Sequence, residues 1–275
     1  MKKLSRKRVP IYSAFGILSL LLFVTLPNIS WKTSKIKAFE LFDEPAPILT
    51  NDIIISSDSN AIELINYMNK VYVDAKLQSA NLALPVFEKA LTGFLNLKIA
   101  NNLNNNKNIL TVVDFTKSST QKRMWIIDID KKKLLLNTYV AHGQGSGFDL
   151  ANVFSNKEES HQSSLGFYVT NETYFGKHGL SLRLDGFDKG INDKARERAI
   201  VVHGAEYVSE SFIKQTGRLG RSHGCPAVPV ELTNKVIDLI KDKTCLFING
   251  NQDNYKSKLL NQEIALNKVF STPRS

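Results

Sequence analysis

Apolar positions along the chain change period three times, and each change marks a different kind of element. An apolar run occupies residues 11–26, preceded by "MKKLSRKRVP". From Asn60 the spacing becomes helical: Ile62, Ile65, Met68 and Tyr72 share one face, and Asn60 with Glu63 resembles a capping box. Pro85, at a first-turn position, opens a second helix with Phe87, Leu91, Phe94 and Leu95 on one face and an end near Ile99.

The polar stretch "NNLNNNKN" (101–108) then breaks the pattern, and period two or short apolar runs take over. "ILTVVDF", "RMWIIDID", "KLLLNTYVAHG", "LGFYVT", "LSLRLDG" and "RAIVVHG" predict six strands. A helix over roughly Pro229 to Lys241 carries Leu232, Val236, Ile237 and Ile240 on one face, and "TCLFING" predicts a last, buried strand. Seven strands with few helices between them imply a mainly β fold, an antiparallel or mixed sandwich or barrel with a C-terminal helix. The two earlier helices form a small N-terminal helical annex whose stripes serve packing.

The expected organisation is a leader at 1–38, a linker and annex at 39–108, a main domain at 109–250 and a tail at 251–275. The linker reading rests on the proline-punctuated "ELFDEPAPILTNDIIISSDSN". Five cations precede the apolar run and Lys32, Lys35 and Lys37 follow it, which predicts export, as a cleaved signal peptide or an uncleaved membrane anchor. The run is shorter than the roughly 20 residues a spanning helix needs. Those eight cations account for most of the net charge of +10 and leave +2 for the rest, so the case for a nucleic-acid partner collapses.

Candidate chemistry gathers in "GRLGRSHGCPAVP" (Gly217 to Pro229), which holds one of only two cysteines. A cysteine attacks as its thiolate and needs a neighbouring imidazole or backbone N–H groups to form it. His203 ends the strand "AIVVH", and His223 stands two residues before Cys225. An imidazole serves first as base for the thiol and then as acid for the leaving amine. The glycine-containing turn offers N–H groups to an oxyanion, and Pro226 stiffens its exit.

Two other readings stay open on the residues alone. An exported chain favours a disulfide, here Cys225 with Cys245, which would disarm the nucleophile; Cys245 in "TCLFI" is more simply a packing thiol. A zinc site would draw on His203, His223 and Cys225 with His142. No metal and no cofactor is expected. His142 in "AHGQGSG" lines the cleft or occupies a turn, Arg218 and Arg221 suit a substrate carboxylate or a solvated loop, and His161 and His178 read as surface-loop residues.

"HGAEYVSESFIKQTGRLGRSHGC" resembles the signature of L,D-transpeptidase (YkuD-like) catalytic domains, a His-Gly followed after a loop by Ser/Thr-His-Gly-Cys. The resemblance spans roughly 109–250. It implies peptidoglycan cross-linking by acyl transfer from a stem tetrapeptide, through a cysteine thioester, to an acceptor peptide or protein amine. It makes Cys225 the nucleophile, His203 its base and the Gly204 carbonyl the group that orients the imidazole. His223 and Gly224 then shape the oxyanion region, and Ser222 supports the turn. After Cys225 the common form continues differently, and "CPAV", with "AHGQGSG", "SLGFYVT" and "HGLSLRLDG", resembles a divergent branch in which the position of His223 is often another residue. Water as acceptor would make the same site an L,D-carboxypeptidase. A cell-wall cysteine peptidase or amidase, or a non-catalytic wall-binding module, are the readings from other classes. The implied location is the periplasm or cell envelope.

Overall fold

The computed structural model describes residues 51–252 and 255–270. The expected leader at 1–38 and the first residues of the linker lie outside the described residues. Helix α1 runs over Asn51–Asp74 and α2 over Leu84–Ile99. The capping box at Asn60 does not form, because Asn60 is inside α1. No proline or glycine interrupts "NDIIISSDSN", and each added residue lengthens a helix at the gain of one backbone bond. The buried stripe of α1 is also rotated from expectation: Leu64, Met68, Val71 and Tyr72 are buried, whereas Ile62 and Ile65 are exposed. In α2, Pro85 sits in the first turn and the expected face of Phe87, Leu91, Phe94 and Leu95 is buried.

Eight strands follow: β1 (Ile109–Asp114), β2 (Met124–Asp128), β3 (Lys133–Thr138), β4 (Gly166–Gly176), β5 (Gly179–Gly186), β6 (Val201–Gly204), β7 (Ala227–Val228) and β8 (Cys245–Asn249). Their order in the single sheet is β3-β2-β1-β8-β4-β5-β6-β7. Pairing is antiparallel except for β1 with β8 and β6 with β7, so the sheet is mixed. Just after β3, Ala141 bridges to Ala227 and Gly143 to Ser222, which brings the two sheet ends together into a nearly closed barrel. Helix α3 (Glu210–Thr216) lies between β6 and β7, α4 (Thr233–Ile240) between β7 and β8, and α5 (Gln262–Phe270) ends the described chain.

The central strands are buried on both faces, and their alternation decides which side each residue serves. Leu110, Val112, Trp125 and Phe247 join α1 and α2 in one apolar cluster, while Val113, Met124, Ile126 and Leu246 join Val236, Ile237 and Ile240 of α4 in the other. The expected annex is therefore a layer of the main unit. Trp125 Nε1 donates to the Ala80 carbonyl at 2.8 Å, so the polar stretch 101–108 is a connector and no domain break. The tail docks as well. Asn96 Nδ2 donates to the carbonyls of Leu259 and Asn261, and buried Asp188 accepts from Tyr255 Oη, Ser257 Oγ and the Phe167 N–H.

Candidate active site

Strand β6 delivers His203. Its register partners are Ser181 on β5 and Ala227 on β7, so the imidazole leaves the sheet where the strand ends. His203 Nδ1 lies 2.9 Å from the Gly204 carbonyl. A carbonyl can only accept, so Nδ1 carries the proton and Nε2 is the free base. Gly204 is needed at this position, because a Cβ there would come within 2.2 Å of Thr233 Oγ1.

The turn 221–225 is fixed by its own bonds. Ser222 Oγ donates to the Cys225 carbonyl at 2.6 Å and accepts from the Gly224 N–H at 3.0 Å. Gly224 holds φ +120°, a conformation that L side chains rarely adopt, and a Cβ would lie 2.7 Å from the Gln162 carbonyl. The Ser222 backbone pairs with both the His142 carbonyl and the Gln144 N–H. The Gly224 N–H is taken by Ser222, whereas the Arg221, His223 and Cys225 N–H groups meet no acceptor among the described residues.

Cys225 Sγ accepts from the Val201 N–H at 3.5 Å and faces the Ala199 carbonyl at 3.7 Å. Burial pushes the thiol above its ordinary value, against the Val201 N–H and the Arg198 charge, which favour the thiolate. Burial likewise lowers His203, partly offset by the Gly204 carbonyl and reinforced by the neighbouring His178. The pair therefore rests as neutral thiol and neutral imidazole. Both line one cavity of about 460 Å³, with Tyr174, His178, Tyr207 and Arg221 on its walls. Both cysteines are free thiols, and Cys245 is buried in β8. Among the described residues no group of three or more His, Cys, Asp or Glu side chains is arranged to hold a metal ion.

The remaining expected site residues part ways. His142 is fully buried and faces away from the cavity: its Nδ1 meets Arg123 Nη2 at 2.8 Å and its Nε2 lies 3.4 Å from the Gly147 carbonyl. Burial and the Arg123 charge lower it to about 4. His142, expected as a substrate-binding residue, thus has Arg123 and the Gly147 carbonyl as its partners and is not on the cavity wall. Arg221 lines the cavity and donates to the Gly147 carbonyl at 2.9 Å. Arg218 bonds the Leu219 carbonyl and is not on the cavity wall.

A family model described as the L,D-transpeptidase catalytic domain matches residues 78–249. The chain belongs to this family. The match begins before α2, so the L,D-transpeptidase domain takes in a helix that the motif resemblance over 109–250 left outside. No curated protein matches the chain. Among solved structures, an L,D-transpeptidase from Mycobacterium smegmatis is similar at 11% identity and TM-score 0.32, covering 52% of this chain and 59% of that one. The helical cell shape determining protein Pgp2 from Campylobacter jejuni is similar at 13% identity and TM-score 0.35, covering 65% and 63%. L,D-transpeptidase 1 of Mycobacterium tuberculosis is similar at 10% identity and TM-score 0.31, covering 52% and 62%. The chain spans less than two thirds of the length of each.

Within this L,D-transpeptidase domain the sequence pattern missed three neighbours of the site. Arg198 sits beside Cys225, held by the carbonyls of Ser155 and Gln162 and by Ser164 Oγ. His178 stacks on His203 with ring centres 4.4 Å apart, and His161 stacks on His223 at 4.1 Å. Gly176 and Gly179 bracket a two-residue turn that would have paired the flanking strands and placed His178 at a hairpin tip. Nothing local to Arg198 or His161 marks them.

Proposed function

We propose that this protein is a peptidoglycan L,D-transpeptidase working through a Cys225 thioester. The observation that carries the reading is that His203 and Cys225 share one cavity while the Gly204 carbonyl fixes His203 with Nε2 as its free nitrogen. His203 Nε2 takes the thiol proton as Sγ attacks the carbonyl of the L-centred third residue of a stem peptide. The oxyanion receives the Cys225 N–H, which is committed to no acceptor among the described residues. The C–N bond to the terminal D-amino acid breaks, and His203 returns its proton to the departing amine. An acceptor amine on a second stem peptide attacks the thioester, gives its proton to His203 and expels the thiol. Arg221, on the cavity wall with most of its donors uncommitted, meets a stem-peptide carboxylate. His223, exposed and stacked on His161, supports the turn from outside. The site of action is the cell envelope, where this substrate lies.

Incubation with tetrapeptide-bearing muropeptides, with products identified by mass spectrometry, tests the reading. Cross-linked dimers that disappear with Cys225→Ala are expected. Trimmed monomers alone would make water the acceptor and the protein an L,D-carboxypeptidase, and unchanged muropeptides with both proteins would sink the enzymatic reading.

A further inference from the structure

One residue at the cavity has no part in that reaction and is held there by a built device. Strand β4 pairs with β8 only over Gly166–Val169, then runs on to Gly176 paired with β5 alone. The resulting hairpin closes on Lys177 and His178, with Gly179 at φ +73°. Below its tip the Tyr174 ring lies against Gly176, where a Cβ would approach it to 2.7 Å, and the Arg183 guanidinium covers that ring at 4.5 Å. Glu172 binds both Arg183 and Arg196, and Arg196 reaches on to Asp185. This ladder ties both strands of the hairpin to the segment leading into Ala199 and Val201, the backbone partners of Cys225.

The braced tip lays His178 on the face of His203. Ser181 is the register partner of His203, so a residue three positions earlier, beyond the end of the pairing, reaches over the imidazole. The rings are 29° from parallel with centres 4.4 Å apart. The stack covers a face of His203, the Gly204 carbonyl occupies Nδ1, and the Nε2 edge is left to the cavity.

We propose that His178 is a positioning residue for the base, holding the His203 imidazole by ring stacking so that Nε2 is presented to the Cys225 thiol. The proposal rests on the reading of His203 as the base of Cys225. The neighbouring His178 also adds to the lowering of the His203 pKa. The other titratable or charged groups on the cavity wall are Tyr174 and Lys177 from the hairpin, Tyr207 after β6, and Arg221, His223 and Cys225 from the turn. No carboxylate is among them to offset the positive charge that forms on His203.

Alkylation of Cys225 by iodoacetamide in the full chain, followed across pH by peptide mapping, reads the base without any peptidoglycan. Cys245 is fully buried and does not compete. His203→Ala sets the rate without a base. His178→Ala is expected to slow alkylation about three- to tenfold near neutral pH, the range a lost ring pair provides. His178→Phe keeps the ring and is expected to restore the rate. Melting temperatures should stay at the parent value, because the tip is exposed. A His178→Ala rate and profile equal to the parent, alongside a slow His203→Ala, would overturn the proposal and leave His203 as base. An unchanged His203→Ala rate would instead overturn the reading of the base itself.

Discussion

At the level of single residues, the site depends on groups whose freedom has been removed. Gly204 is the sharpest case. Its carbonyl fixes the His203 tautomer, and its missing side chain lets Thr233 approach. Gly204→Ala is expected to lose about 1–3 kcal/mol of stability through overpacking and to slow acyl-enzyme formation as β6 shifts; a melting curve with parent-like acylation would refute the coupling. His142 supplies a pH dependence. Its folded value of about 4 lies below the ordinary 6.5, so the unfolded chain binds the proton first. Stability is then full above pH 6.5 and falls as pH drops toward 4, the sign expected when the unfolded state holds more protons. Thermal melts across that window should show the decline, and His142→Gln should flatten part of it. The motif made Cys225, His203 and the Ser222–Gly224 turn legible, because their spacing is itself the chemistry. The burial of His142 was not legible, because it depends on Arg123 arriving from another strand.

Among elements, period two and short apolar runs make seven strands legible, since each is long enough to show one pattern or the other. Strand β7 has two residues and no period, and it exists because β6 and Ala141 flank it. Helix α3 carries its own signals: Ser209 caps it, accepting from the Phe212 N–H at 3.2 Å, and Gly217 ends it at φ +77°. The tail reads as an appendage because its anchors, buried Asp188 and Asn96, lie far away in sequence. Asp188 receives Tyr255 and Ser257 directly beside Gly166, where a Cβ would strike the carboxylate. Asp188→Ala should free residues 255–260, so tryptic cleavage at Lys256 and Lys258 should accelerate. Unaltered cleavage would place the anchor elsewhere, for example at Asn96.

On the scale of the whole molecule, one sheet serves two cores, and the N-terminal helices belong to the first of them. The polar break at 101–108 hid this, because a connector and a linker look alike until the faces of β1 and β2 are assigned. Phe87 is fully buried in the cluster that also holds Trp125. Phe87→Ala should therefore destabilise the unit by about 3–5 kcal/mol, with tryptophan fluorescence and far-UV circular dichroism melting together in urea. Separate transitions would restore the annex as an independent piece. Shared burial also explains how the hairpin, the loop before β6 and the turn at Cys225 stay in register around one cavity. The central claim is that His203 activates Cys225 for acyl transfer, and intact-protein mass spectrometry after mixing with a tetrapeptide donor tests it most directly. The account predicts a covalent adduct equal to the donor minus its terminal D-amino acid, mapped to Cys225 and lost with His203→Ala. An adduct of undiminished yield in His203→Ala, or none in the parent protein, would contradict it.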